Sequence, residues 1–120
     1  MTITSNFEPN DIIKQIEKTN IKGKHLIFID DFSSTELENI FKTAFMLEPF
    51  WRLRIPLLEN KVLCTQFFQP STRTRFSHET AMIRLGGSVI TESNPLVSSS
   101  AAKGESLYDS LRVTSQYADI

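Results

Sequence analysis

The sequence predicts an α/β fold, in which a parallel sheet carries helices on both faces. A β-branched and aromatic run at 62–68 is typical of a buried strand, and Pro70 stops it because proline cannot donate to a strand ladder. A helix is expected at 71–85 and a second strand at 88–91. Since consecutive parallel strands are joined by a right-handed crossover, this strand–helix–strand unit indicates parallel pairing of the two strands.

An N-terminal helix is expected at 11–19, after a polar segment. Its apolar face would consist of Ile12, Ile13 and Ile16, which are spaced for one side of a helix. The apolar run at 26–29 that follows is too short to decide between a brief strand and an extended segment that leads into the next helix.

A second amphipathic helix is indicated by a capping box and by helical periodicity. Ser33 and Glu36 have the capping-box spacing, and Pro49 limits the helix at its other end. The residues expected on its inner face are Leu37, Ile40, Phe41, Ala44 and Phe45. Residues 51–60 are then expected to form an irregular connection.

A long loop and a final helix follow the second strand. Gly86 and Gly87 would end the central helix, because a C-cap in the left-handed region favours glycine. Residues 93–104 read as a loop of small residues, and loops of this length in a compact domain are usually functional or disordered. A helix is expected at 105–117, and 119–120 would begin a third strand. The expected inner positions of this helix are Leu107, Leu111 and either Val113 or Thr114.

Length and composition are those of one globular domain. The chain has 120 residues, of which 40% are hydrophobic and 22% charged. A formal net charge of −1 argues against a nucleic-acid binder, and the single cysteine, Cys64, excludes a disulfide framework within the chain. Since no apolar stretch reaches the ~20 residues of a membrane span and no signal-peptide pattern is present, a cytoplasmic protein is expected.

The run STRTR at 71–75 lies at the predicted strand-to-helix turn. Backbone N–H groups at a helix N-terminus lack intrahelical partners and attract anions, and the two guanidinium groups of this run can grip phosphate oxygens. The run therefore predicts a site for a small phosphorylated ligand. The plainer alternative is that Ser71 only caps the helix and Arg75 only pairs with Glu79 four residues on.

These residues also carry a resemblance to a known family. Phe68 followed by Ser71-Thr72-Arg73-Thr74 resembles the carbamoyl phosphate signature F-x-x-S-x-R-T of the aspartate and ornithine carbamoyltransferases. The similarity continues through Glu79, Ala81, Met82, 84–87, 103–107 and 109–110. It covers roughly 24–120, which defines a carbamoyl phosphate-binding domain at 24–120, without the family's amino-acid-binding domain, after an N-terminal helix and lead-in at 1–23.

The resemblance implies roles for individual residues. Ser71, Thr72, Arg73 and Thr74 would hold the phosphate, with Thr74 also close to the carbonyl oxygen. In the family, a loop of a neighbouring subunit reaches into the site, and Lys103 and Ser99 match its lysine and serine. A separate hypothesis is that Glu105 pairs with Arg73 and so orders that loop. The family's reaction needs neither a metal ion nor a cofactor.

The activity that the resemblance implies is transfer of the carbamoyl group from carbamoyl phosphate to L-aspartate, in pyrimidine synthesis. The similarity is greatest to the aspartate enzymes; the alternatives are an ornithine carbamoyltransferase-like enzyme and a non-catalytic assembly partner. A homotrimer is implied, with a regulatory or dihydroorotase partner as a further possibility. Because the family's acceptor-binding residues have no counterpart in these 120 residues, we expect residues 1–120 alone to be inactive.

Overall fold

The structure is a computed structural model that describes residues 7–94, 97 and 103–120. It divides into two units, Met1–Arg52 and Leu53–Ile120. The described elements include helices α1 (Pro9–Lys18), α2 (Ser34–Leu47), α3 (Arg73–Arg84) and α4 (Leu107–Thr114), strands β1 (Val62–Phe67) and β2 (Ser88–Ser93), and 3-10 helices at Ile29–Asp31 and Glu48–Phe50. None of the helices in these described ranges is long and apolar enough to cross a membrane.

In the first unit, α1 packs against α2 through a partly polar face. Ile12 and Gln15 are buried, and the Gln15 side-chain amide donates to the Asn39 side-chain oxygen at 3.0 Å. This bond fixes the rotation of α1 about its axis. Ile13 and Ile16 consequently remain exposed, so the predicted apolar face was correct only for Ile12.

Helix α2 begins as predicted but buries a different face. The Ser33 hydroxyl accepts from the Glu36 N–H and the Glu36 carboxylate accepts from the Ser33 N–H, which confirms the capping box. Met46 is the buried residue of the helix. The predicted inner positions are half-buried at Leu37 and Ile40 and exposed at Phe41, Ala44 and Phe45. Helical periodicity therefore located the helix correctly and its buried side incorrectly.

The apolar run at 26–29 is not a strand. Its residues lack regular structure up to the 3-10 helix that starts at Ile29, and all four side chains are exposed, with Leu26 at 72%. The strand alternative was therefore wrong.

In the second unit, β1 and β2 pair in parallel, as predicted. The register runs from Val62 opposite Ser88 to Phe67 opposite Ser93, so β2 is two residues longer than expected. Helix α3 forms the crossover and packs against both strands. It ends before Gly86, whose φ of +90° is the left-handed conformation expected there.

The helices lie on both faces of this sheet. The Thr65 hydroxyl donates to Glu79 of α3, and the Gln66 side-chain amide donates to Thr114 of α4. Because successive side chains of a strand point to opposite faces, α3 and α4 contact opposite sides of β1. This confirms the predicted α/β arrangement.

The last helix is shorter than predicted and turns a different face inward. Ser106 caps α4 by accepting from the Asp109 N–H at 3.1 Å. Ser110 is its buried residue, and Thr114 is half-buried. The other predicted inner positions are exposed, namely Leu107, Leu111 and Val113. The apolar positions of this helix therefore did not identify its buried side.

Asp119 and Ile120 bond to the edge of β1 opposite β2. The Asp119 N–H donates to the Val62 carbonyl oxygen at 2.9 Å, and the Cys64 N–H donates to the Ile120 carbonyl oxygen at 2.8 Å. Lys61 also forms an ion pair with Asp119 at 2.7 Å. Strand β1 is therefore hydrogen-bonded on both edges over this part of its length. Residues 119–120 are not assigned as a strand, however, and the sheet of the described residues has two strands, so the third strand stays a prediction.

Candidate functional site

The site is built on the turn between β1 and α3. Thr72 is the N-cap of α3, but its side chain makes no capping hydrogen bond within the described residues. The first bond of the helix runs from the Phe76 N–H to the Thr72 carbonyl oxygen, so the N–H groups of 73–75 have no intrahelical partner. Backbone N–H groups without an intrahelical partner therefore lie at the carboxyl end of a parallel strand, where open α/β sheets bind ligands.

A cavity of about 340 Å³ opens at this turn. It is lined by residues 67–72, by Arg75 of α3 and by Ser93 and Asn94 at the end of β2. Of the four predicted phosphate-binding residues, Ser71 and Thr72 line the cavity. Arg73 and Thr74 occupy the first turn of α3 next to it, and their side chains are exposed.

Arg75 and Glu79 form the ion pair that the plainer alternative predicted. The Arg75 Nε atom lies 3.9 Å from Glu79 Oε1. The guanidinium group also lies 5.1 Å from the centre of the Phe76 ring. Among the described residues, the buried Nε atom has no hydrogen-bond partner, so the ion pair leaves its donor unused.

Glu79 connects α3 to both strands. Its Oε1 atom accepts from the Thr65 hydroxyl at 3.0 Å and from the Thr91 hydroxyl at 2.7 Å. Thr65 and Thr91 are direct neighbours in the parallel register. The sequence analysis missed both threonines, although each directly follows the apolar residues of its strand and so was a signal that could have been noticed.

The carbonyl oxygen of Thr74 accepts side-chain hydrogen bonds from the next turn of α3. Ser77 Oγ lies 2.9 Å from it and His78 Nδ1 lies 2.8 Å from it. His78 is exposed, and it is tied to the helix backbone one turn after the site. These bonds constrain the first turn of the helix.

The loop residues are only partly described. Lys103 is exposed, Glu105 is half-buried, and Gly104 has a left-handed φ of +95°. Ser99 lies outside the described residues. No ion pair joins Glu105 to Arg73 within this described chain, so the proposed ordering of the loop by Glu105 stays a prediction.

Nothing in the described ranges indicates a metal centre. No group of three His, Cys, Asp or Glu residues there could hold a metal ion.

Burial raises the pKa of the Cys64 thiol, and the nearby Glu92 carboxylate acts in the same direction. The thiol of β1 is thereby held in its neutral form.

Comparisons with known proteins identify the family. The family model described as "Aspartate/ornithine carbamoyltransferase, carbamoyl-P binding domain" matches residues 24–120. Ureidoglycine carbamoyltransferase of Rubrobacter xylanophilus is 51% identical over 105 residues, covering 88% of this chain and 31% of that protein. The aspartate carbamoyltransferase catalytic subunit of Methanocaldococcus jannaschii is 54% identical over 99 residues, covering 81% of this chain and 32% of that protein.

A solved structure gives the same result. Aspartate transcarbamoylase from Trypanosoma cruzi, in complex with carbamoyl phosphate and aspartate, superposes with a TM-score of 0.76 at 32% identity, over 85% of this chain and 34% of that one. The chain thus spans about a third of the length of the curated relatives it matches. The matched residues include β1, the STRT turn, α3 and β2. The chain belongs to the aspartate/ornithine carbamoyltransferase family, since residues 24–120 match the family model of its carbamoyl phosphate-binding domain.

Proposed function

We propose that this chain supplies the carbamoyl phosphate-binding part of a carbamoyltransferase, in which Ser71, Thr72, Arg73 and Thr74 hold the phosphate. The observation that carries the proposal is the position of these four residues, between the end of β1 and the first turn of α3, beside the cavity. These four residues carry hydroxyl groups, free backbone N–H groups and a guanidinium group, and all of them favour a phosphate dianion.

A site of this kind can stabilise the negative charge that develops during carbamoyl transfer. The acceptor amine attacks the carbonyl carbon of carbamoyl phosphate and a tetrahedral intermediate forms. The carbon–oxygen bond to phosphate then breaks, and the phosphate leaves with the proton that the amine loses. Negative charge develops on the carbonyl oxygen and on the leaving group, so positioned donors lower the barrier. Thr74, in the first turn of α3, is the residue that we assign to the carbonyl oxygen.

A neighbouring subunit would complete the site. Lys103 is exposed and precedes Gly104, whose left-handed φ turns the chain before α4. In the proposed homotrimer, Lys103 and Ser99 reach the phosphate and the acceptor of the adjacent subunit. The exposure of Lys103 supports this assignment, because an exposed loop lysine is accessible to a second subunit.

L-aspartate is the acceptor that we propose, and the enzyme would then act in pyrimidine synthesis. We also propose that the protein is cytoplasmic. Relatives and solved structures named for aspartate support this choice. A second candidate is ureidoglycine, because the Rubrobacter relative named for it matches a larger share of this chain at similar identity. An ornithine-type enzyme would differ from both in using L-ornithine as its acceptor. A non-catalytic assembly partner would show no turnover with any acceptor.

The test is to express the protein from its complete gene, determine its intact mass, and assay phosphate release from carbamoyl phosphate. L-aspartate, L-ornithine and ureidoglycine are each offered as acceptor. Release is expected with L-aspartate, and Arg73→Ala should lower kcat/KM by about 100-fold or more, as loss of a transition-state donor does.

Arg54→Ala removes another exposed arginine away from the site and should leave kcat/KM unchanged. Faster release with ureidoglycine than with L-aspartate would establish the second candidate. A folded protein that releases no phosphate with any acceptor would instead be an assembly partner, and the proposed catalytic function would fall.

A further inference from the structure

The cavity at the β1–α3 turn contains a cation that the carbamoyl phosphate signature does not include. Arg75 is the only charged residue among the described residues that line it. Arg73, the arginine of the signature, does not line it. An anion that enters this cavity therefore meets the Arg75 side chain.

Glu79 does not account for the presence of Arg75. The 3.9 Å between Arg75 Nε and Glu79 Oε1 is too long for a hydrogen bond. That same oxygen already accepts from Thr65 and Thr91, which satisfy it without Arg75. Buried donors are normally hydrogen-bonded, so the unpartnered Nε atom of Arg75 indicates an arginine whose partner is not among the described residues.

The remaining cavity wall is uncharged and partly apolar. Ser71, Thr72, Ser93 and Asn94 offer hydrogen bonds, whereas Phe67 and Phe68 offer none from their side chains. A phosphate dianion needs a full positive charge as well as neutral donors in such surroundings, and the guanidinium fork matches two of its oxygens.

We propose that Arg75 is a phosphate-binding residue of this site. Glu79 is fixed to both strands by the two threonine hydroxyls and leaves the Nε donor of Arg75 unused. This inference rests on the proposed function, because it assigns one more contact to the same phosphate.

The alternative is that Arg75 only neutralises Glu79. A double-mutant cycle of Arg75→Gln and Glu79→Gln in the protein expressed from its complete gene separates the two roles. The glutamine oxygen at position 79 can still accept from both threonines, so Glu79→Gln removes the charge and keeps the connection to the sheet.

Inorganic phosphate is titrated by calorimetry into the parent protein and each variant, and thermal unfolding is recorded in parallel. Arg75→Gln should weaken phosphate binding by about 10- to 100-fold, the range of a hydrogen bond to a charged group, in the parent and in the Glu79→Gln background alike. The melting temperature of the double variant should be no lower than that of Glu79→Gln, because the second substitution removes the unpaired Arg75 charge that the first one leaves.

Equal phosphate affinity in Glu79→Gln and in the double variant would overturn the inference, since Arg75 would then serve Glu79 alone. This comparison also decides the matter where Arg75→Gln by itself fails to fold. If Arg73→Ala abolishes phosphate binding while Arg75→Gln does not change it, the inference fails and the proposed function stands. A folded parent protein that binds neither phosphate nor carbamoyl phosphate would overturn both.

Discussion

Glu36 is the most extensively hydrogen-bonded carboxylate of the first unit. It accepts from Lys24, from Asn20, and from both the N–H and the hydroxyl of Ser33. The hydrogen bond from Lys24 is the largest cause that lowers the pKa of Glu36 from 4.5 to about 2, and the bonds from Ser33 add to it. The ionised carboxylate therefore links the segment before α2 to the start of that helix.

The first prediction at this scale concerns the pH dependence of stability. A carboxylate whose pKa is lower in the folded state stabilises the protein above its unfolded pKa, and this contribution is lost as the pH falls through the folded pKa. Glu36→Gln should therefore lower the melting temperature at pH 7. The difference in melting temperature from the parent should shrink as the pH falls from 4.5 to about 2, because the parent carboxylate is protonated in both states only below that lower pH.

Melting curves of both proteins at pH 7, 5 and 3, followed by circular dichroism, measure this difference. Glu38→Gln is the matched control, because Glu38 is an exposed carboxylate on the same helix. If the difference in melting temperature between the parent and Glu36→Gln stays constant over this pH range, the charge of Glu36 contributes nothing to stability.

Among the elements, the end of α3 depends on a glycine for two separate reasons. Gly86 has φ +90°, and a Cβ atom there would lie 3.1 Å from the Cα atom of Pro56. The left-handed conformation costs an L-residue about 1–2 kcal/mol, and contact with a backbone atom adds to that cost. Gly86→Ala should therefore lower the free energy of unfolding by about 2 kcal/mol or more, as measured by urea denaturation.

Gly104 separates the two contributions. Its φ is +95°, but a Cβ atom there would meet no atom of the described residues within 4 Å. Gly104→Ala should thus show the conformational cost alone, about 1 kcal/mol. If both variants lose the same free energy of unfolding, the approach to Pro56 is relieved by a small backbone shift and contributes nothing.

The elements that the sequence predicted correctly are those fixed by local chemistry. The Ser33–Glu36 capping box and the left-handed Gly86 each depend on residues close together in the chain, and the β1–α3–β2 crossover follows from the order of the elements along it. The buried sides of α1, α2 and α4 depend instead on which element packs against each of them. Apolar periodicity therefore placed Phe41 inside, whereas tertiary packing leaves it exposed.

The candidate site follows the same division. The STRT turn was predictable, because a strand followed by proline and a helix start determines its position. The contribution of Glu79 was predictable only as far as its pairing with Arg75, four residues away. Its bonds to Thr65 and Thr91 join residues 14 and 12 positions apart. The two threonines are themselves 26 positions apart and become neighbours only when the two strands align.

For the whole molecule, the distribution of exposed apolar side chains is the main feature. Within the described residues, large apolar side chains are exposed in both units. They include Leu26, Ile27, Phe28, Phe41 and Phe45 in the first unit, and Tyr108 and Tyr117 in the second. Soluble monomers rarely expose so many neighbouring apolar residues, so these surfaces are expected to contact other protein.

The last prediction concerns a polypeptide restricted to these 120 residues. It should self-associate, because the exposed run at 26–29 and the edge of β1 beyond Cys64 have no partner within the described chain. It should also release no phosphate from carbamoyl phosphate with any acceptor, since it spans about a third of the length of its curated relatives. Sedimentation velocity and the phosphate-release assay measure the two properties on one sample.

Ile27→Lys, which places a charge in the exposed run at 26–29, should reduce the association without restoring turnover. A monomer that turns over carbamoyl phosphate would instead mean that one domain of this family is enough to bind the acceptor.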